Sequence, residues 1–289
     1  MTPTLLSALL GVCGMFGWGL YDFLGGVLSK RMGSFVPLFW SQAVGAVSIG
    51  VVAWAAGAMA GVPTRSLLLV PLAAGLYCGG YLFFFAGFQK GDVSVVAAAM
   101  NLWAVVTMVV AFLFMGQRLS TSQTAGAFTI IVGAMLASVD WGRLRRQGFH
   151  VSLGVRETLL GACFFGLYWN VSEVISEDVG WLRTTLLVKV GVVLVLLALS
   201  VLMRRRLRPD GVQARTALTL VAMGGVEVCA VAAVNYGIAI GDAILVTPIA
   251  SALSVVTIAL AVVVLRDRVS APQAVGMAMA VGGIVATAL

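Results

Sequence analysis

A polar group buried in a long apolar segment costs free energy, so such groups are the first places to look for chemistry. Glu227 is the sharpest, the one charged residue between Arg215 and Asp242. An ionisable side chain deep in a membrane span marks a functional site by default. It could bind a solute's ammonium or a proton, or it could serve as a hydrogen-bonded carboxyl inside a helix bundle. Around it stands a set of aromatic and amide side chains, also inside apolar segments: Trp18, Tyr77, Tyr81, Trp103, Tyr168, Trp169, Asn101 and Asn235. Tyr77 and Tyr81 are four apart and share a helix face. A cavity lined this way would take apolar side chains by burial and ammonium groups by cation–π attraction. Each Trp or Tyr could equally pack against neighbours or sit at a membrane interface. These nine residues are the candidate substrate-binding set.

The other intramembrane charges read more simply. Glu173 and Lys189 lie at similar distances from the turn near 180, so an ion pair across that hairpin is expected. Asp22 falls within two turns of the end of its segment, where water or Lys30 could satisfy it, and a functional role stands equally open. Asp92 and Asp242 open apolar segments and are expected to cap helix N-termini. No metal site and no cofactor is expected. The single His150 sits in a loop among arginines, and Cys13, Cys78, Cys163 and Cys229 stand singly in apolar surroundings. No nucleophile has a base at motif spacing and no G-x-x-x-x-G-K-[ST] loop is present, so no catalytic residue is assigned. A membrane-embedded enzyme is the distant alternative.

The elements that must position these residues follow from composition. Of 289 residues, 61% are hydrophobic and 10% charged, with a mean hydropathy of +1.07. A soluble domain averages about 45–50% apolar and about 25% charged residues. That excess excludes an ordinary soluble enzyme and makes the lipid bilayer the partner of most side chains. The net charge of +7 is not a nucleic-acid signature, because Lys and Arg sit between apolar runs as topology signals. A span needs about 20 apolar residues. Ten segments qualify: 5–28, 35–59, 66–88, 93–114, 121–139, 157–175, 182–202, 216–240, 243–265 and 271–289. Helices follow from segment length, since backbone groups in lipid must bond internally. Phe83, Phe84 and Phe85 read as lipid-facing bulk, and Pro248 or Pro71 as the place of a bend.

The halves repeat. At an offset of 150 positions, Gly91-Asp92 falls on Gly241-Asp242, Val105-Val106-Thr107 on Val255-Val256-Thr257, and Arg118 on Arg268. Gln123 then meets Gln273, Gly126 meets Gly276, and Gly133 meets Gly283. Apolar bias does not produce Asp, Arg, Gln and Gly matches at one fixed offset. The division is 1–139, a connecting loop 140–156, and 157–289. Five helices per unit is an odd number, so the second unit enters the membrane inverted, an architecture of many secondary transporters. The fold class expected is an all-α polytopic membrane protein of ten transmembrane helices in two inverted five-helix repeats. Tyr77 is the repeat equivalent of Glu227, and the two are expected to face each other across a central cavity. Basic residues crowd the loops holding Lys30, Arg31, Lys90, Arg204, Arg205, Arg206, Arg266 and Arg268. The positive-inside rule then places both termini outside the cytoplasm.

This pattern resembles the EamA-type branch of the drug/metabolite transporter superfamily. The resemblance rests on the two five-helix units, Gly-Asp before helices 4 and 9, and Met115-Gly116-Gln117-Arg118 with Leu265-Arg266-Asp267-Arg268 after them. Asn101-Leu102-Trp103 is similar to a segment of bacterial amino-acid exporters, the aromatic amino-acid group above all. The resemblance implies export of amino acids or related small metabolites across the inner membrane, with the aromatic residue at Trp103 lining the cavity. It also implies cytoplasmic termini, the reverse of the charge reading. Proton coupling through Glu227 and plain facilitated export both fit. Cationic drugs, sugars or other metabolites are the alternative substrates.

Overall fold

The computed structural model describes residues 3–58, 61–115, 121–138, 141, 152–207, 213–240, 250 and 252–287. Regular structure among the described residues is entirely helical. The helices are α1 (Pro3–Met32), α2 (Phe35–Ala55), α3 (Thr64–Lys90), α4 (Val93–Met100), α5 (Leu102–Phe114) and α6 (Thr121–Ser138). After the connecting loop come α7 (Val155–Val179), α8 (Trp181–Leu202), α9 (Ala214–Ile240), α10 (Leu253–Leu260) and α11 (Ala271–Thr287). A π-helical turn, Ala261–Leu265, extends α10. Among the described residues seven stretches are long and apolar enough to cross a membrane: Leu9–Met32, Phe35–Ala55, Thr64–Lys90, Val93–Phe114, Val155–Val179, Trp181–Leu202 and Ala214–Val234. The other three expected segments hold shorter helices, α6, α10 with its π turn, and α11.

Two local features depart from the sequence expectation. The fourth segment is not one helix: it breaks at Asn101, where amides bond three residues back (Asn101 N to Ala98 O, 3.3 Å; Ala104 N to Asn101 O, 3.2 Å). The break is held from outside, because the Asn101 amide donates to Ser254 Oγ at 3.1 Å. α3 in contrast runs unbroken through the exposed Pro71; Pro248 lies outside the described residues. The second departure concerns the cap of α4. Asp92 occupies the N-cap position in an extended conformation, but its side chain makes no capping bond. The carboxylate that caps α4 is Asp267, which follows the π turn: its Oδ2 accepts from Ser94 N and from Ser94 Oγ, both at 3.1 Å. Burial pushes the Asp92 carboxyl above the usual carboxylate range, the Asp267 charge pushes it the same way, and Lys30 opposes both. Asp242 lies outside the described residues.

Helix packing repeats the sequence duplication. Thr107 and Thr257, equivalent at the 150 offset, each return a hydroxyl bond to the carbonyl four residues back, Trp103 and Leu253. Thr257 also bonds Gly19 O of α1 at 3.0 Å, and Thr107 approaches Gly166 O of α7 at 3.4 Å. A Cβ at Gly19 would meet Val256, and one at Gly166 would meet Val106; the two valines, though not the two glycines, are equivalent at the 150 offset. α1 packs on α9 as α3 packs on α7. At the pseudo-twofold centre, α6 and α11 cross through glycines. A Cβ at Gly133 would stand 2.6 Å from Gly276 O, one at Gly276 2.6 Å from Gly133 O, and one at Gly283 2.7 Å from Gly126 O. Residues 126 and 133 thus meet 283 and 276, so the equivalent helices run antiparallel. Gly180 makes the α7–α8 turn alone, with φ of +78° that a side chain would strain.

Gly276→Ala should lower stability by about 1–3 kcal/mol, because backbone, not a flexible side chain, stands where the methyl must go. Gly282→Ala, where nothing lies within 4 Å, should leave the melting midpoint in detergent unchanged. Equal midpoints for both variants would contradict this close crossing.

Candidate functional site

A buried charge is tolerated only when paired and hydrogen-bonded. Lys189 of α8, 3% exposed, and Glu227 of α9, 1% exposed, form such a pair at 2.5 Å. The other Glu227 oxygen accepts from the Tyr77 hydroxyl of α3 at 3.0 Å. The Lys189 ammonium also donates to Gln42 Oε1 of α2 at 3.0 Å and stands 5.8 Å from the Tyr77 ring centre. Gln42 Nε2 in turn donates to the Tyr21 hydroxyl of α1 at 3.1 Å, which lies 3.2 Å from Ser41 Oγ. One polar chain therefore ties five helices together.

The pair borders a cavity of about 590 Å³. Of the candidate set, Glu227, Tyr77, Tyr81, Asn101, Trp103, Trp18, Tyr168 and Trp169 all line it. The side chain of Asn235 lies outside the described residues. Two aromatic groups form the wall. Tyr77, Tyr81, Phe165 and Tyr168 pack ring on ring, with Tyr77 4.9 Å from Tyr81 and 5.1 Å from Tyr168, and Tyr81 4.6 Å from Phe165. The indole of Trp169 bridges to Trp18 at 6.3 Å and to Trp103 at 5.8 Å. Phe84 and Met100 lie at the deep end, while Ser176 and Trp181 mark the end near the Gly180 turn. Below the floor Phe84, Phe85 and Phe88 are buried and in mutual contact.

Several sequence readings are corrected here. Glu173 does not pair with Lys189. Equal depth across a hairpin does not ensure facing: Lys189 shares a helix face with the buried Val192 and Leu196, whereas Glu173 is exposed on α7. Asp22 is not satisfied by Lys30, which is exposed two turns away; Asp22 is 5% exposed and lines the cavity. Phe84 and Phe85 are core residues rather than lipid-facing bulk. Gln42 is not singled out by sequence, although an amide inside an apolar span is an available signal. Among the described residues no group of His, Cys, Asp and Glu could hold a metal ion; His150 lies outside them.

The profile of the EamA-like transporter family matches the chain twice, over residues 5–139 and 153–289. The chain belongs to the EamA-like transporter family. It is thus a multi-pass membrane protein of a family that transports small molecules, and the two matches coincide with the repeat seen in the packing. No protein of curated description matches this EamA-like chain significantly. A solved structure described only as "Crystal structure of protein" shares its fold, with a TM-score of 0.63 at 19% identity over 97% of this chain and 95% of that one.

Removing one partner of a buried pair leaves an uncompensated charge, at a cost of about 3–5 kcal/mol. Glu227→Ala and Lys189→Ala should each lower the melting midpoint in detergent sharply, and the Glu227→Gln/Lys189→Met double variant should recover most of the loss. Additive losses in the double variant would show that the two groups do not act as a pair.

Proposed function

We propose that this EamA-family protein exports amino acids or closely related small amine-bearing metabolites across a bacterial-type inner membrane by alternating access. The observation that carries the reading is the cavity. Its roughly 590 Å³ falls in the range of about 300–1,000 Å³ typical of small-molecule sites. Its walls carry an aromatic cluster with charged and hydroxyl side chains between the rings, and it lies where the two halves meet. An apolar or aromatic side chain would bury against the tyrosines and indoles, while the amino end would meet the carboxylates. Cationic drugs are the second reading, favoured by one observation: the lining holds the carboxylates Asp22, Glu173 and Glu227 against the single ammonium of Lys189 among the described residues.

The antiparallel crossing of α6 with α11 supports an inverted arrangement of 1–139 and 157–289 about the loop 140–156. Two inverted copies give two related shapes, one open to each side. The cavity reaches toward the Gly180 turn and is sealed by Phe84, Phe85 and Phe88 toward the basic loops, so by the positive-inside rule this is the outward-open shape. Since Glu227 is already matched by Lys189, facilitated export is favoured over proton exchange at Glu227.

The test is efflux from proteoliposomes preloaded with amino acids, sugars and cationic drugs, compared with protein-free vesicles by mass spectrometry. Selective loss of amine-bearing solutes is expected. Trp103→Ala should raise the half-saturation concentration about three- to tenfold, the worth of one aromatic contact. Release of sugars alone, or an unchanged half-saturation concentration in the variant, would overturn the respective assignments.

A further inference from the structure

Asp22 is the one buried charged group in the described lining of the cavity that the ion-pair chain leaves unused. It is 5% exposed and lines the cavity, yet among the described residues it makes no hydrogen bond or ion pair. Its neighbour Tyr21 is turned to Ser41 and Gln42. An enclosed carboxylate is costly unless a cation meets it or it takes up a proton, and a cargo ammonium that arrives and leaves with each turnover is a partner of the first kind. The surroundings describe that partner. Trp18, four residues earlier, shares the Asp22 face of α1. Its indole meets Trp169, which meets Trp103, so a carboxylate lies one helical turn from a cluster of three indoles. Nothing comparable awaits an anion. Lys189, the one ammonium in the described lining, is engaged by Glu227 and Gln42. Glu173 adds a further unpaired carboxylate, on the side of the cavity toward the Gly180 turn.

We infer that Asp22 is the ammonium-binding residue of this cavity, and that its preferred cargo is an organic monocation: a primary amine with an apolar or aromatic body and no free carboxylate. The ammonium sits on Asp22 and the body lies against Trp18, Trp169 and Trp103, held by burial and cation–π attraction. This rests on the transport reading above and moves its preferred cargo from amino acids to related amines that lack a carboxylate.

The experiment is a tryptophan-fluorescence titration of the purified full chain in detergent with phenethylamine, phenylalaninamide, phenylalanine and 3-phenylpropionate. The two cations should bind about tenfold or more tighter than phenylalanine, and phenylpropionate should not bind. Asp22→Asn should weaken phenethylamine binding about tenfold or more without lowering the melting midpoint, and Asp22→Glu should retain part of the affinity. Phenylalanine binding as tightly as its amide, or an Asp22→Asn variant within about twofold of wild type, would overturn the inference. If Asp22→Asn does not fold, the wild-type ranking of the four ligands decides alone. Counterflow of the same four compounds in proteoliposomes separates the two readings. Transport of phenylalanine without preference for the amines sinks the inference and keeps the transporter. Tight amine binding with no counterflow of any of the four keeps the site and sinks the transport reading.

Discussion

The Lys189–Glu227 ion pair is the constraint around which the bundle is arranged. Two charges in a low-dielectric interior demand each other and then further hydrogen-bond partners. Tyr77 supplies one and Gln42 the other, and Gln42 recruits Tyr21 and Ser41. The groups come from five helices, Ser41 and Gln42 sharing one, so α1, α2, α3, α8 and α9 are brought into one register by polar chemistry. Apolar packing in a bilayer has no hydrophobic drive between helices. A network of this kind supplies the specificity that burial alone does not. It also consumes the sole ammonium in the described lining, and so decides which sign of charge the cavity still offers.

Much of the scaffold was legible in the sequence, because its signals are periodic or repeated. Segment length gave the helices. The offset of 150 gave the equivalence of Thr107 with Thr257 and of Gly126 and Gly133 with Gly276 and Gly283, which recurs in the packing. The same offset put Tyr77 opposite Glu227, and the two are hydrogen-bonded. What the sequence concealed were facts about rotation and distance along other helices. Lys189 and Glu173 share a depth but face different neighbours. The partner of Lys189 lies 38 residues on, and that of Ser94 lies 173 residues on, spacings with no local signature. Phe84 and Phe85 look like any aromatic run until α1 and α7 are seen to cover them. The break at Asn101 is likewise set from outside, by Ser254, with no glycine or proline to announce it.

Scaffold and site obey different symmetries. Glycines and threonines at helix crossings recur in both halves, since both must pack alike. The charged groups and the amide of the polar site do not recur: Asp22, Gln42, Lys189 and Glu227 have Ser172, Val192, Phe39 and Tyr77 as their equivalents. Duplication thus produced a symmetric frame, and later divergence placed the polar chemistry in single copies near the axis. The carboxylates that a solute meets on α1 and α9, Asp22 and Glu227, have the uncharged Ser172 on α7 and Tyr77 on α3 at the equivalent positions.

The same asymmetry reaches the ends of the bundle. Asp267 reaches from behind the π turn to cap α4 through Ser94, on the side sealed by Phe84, Phe85 and Phe88. At the 150 offset the equivalents of Asp267 and Ser94 are Gln117 and Ile244, which supply neither a carboxylate nor a hydroxyl for a cap of this kind. If the two end states of the cycle are exchanges of the halves' conformations, they are then not isoenergetic. A cap of this kind contributes about 1 kcal/mol, roughly a fivefold population ratio. The empty carrier would therefore have a preferred resting orientation, waiting with its cavity on one side, and the return stroke without cargo would run downhill toward it.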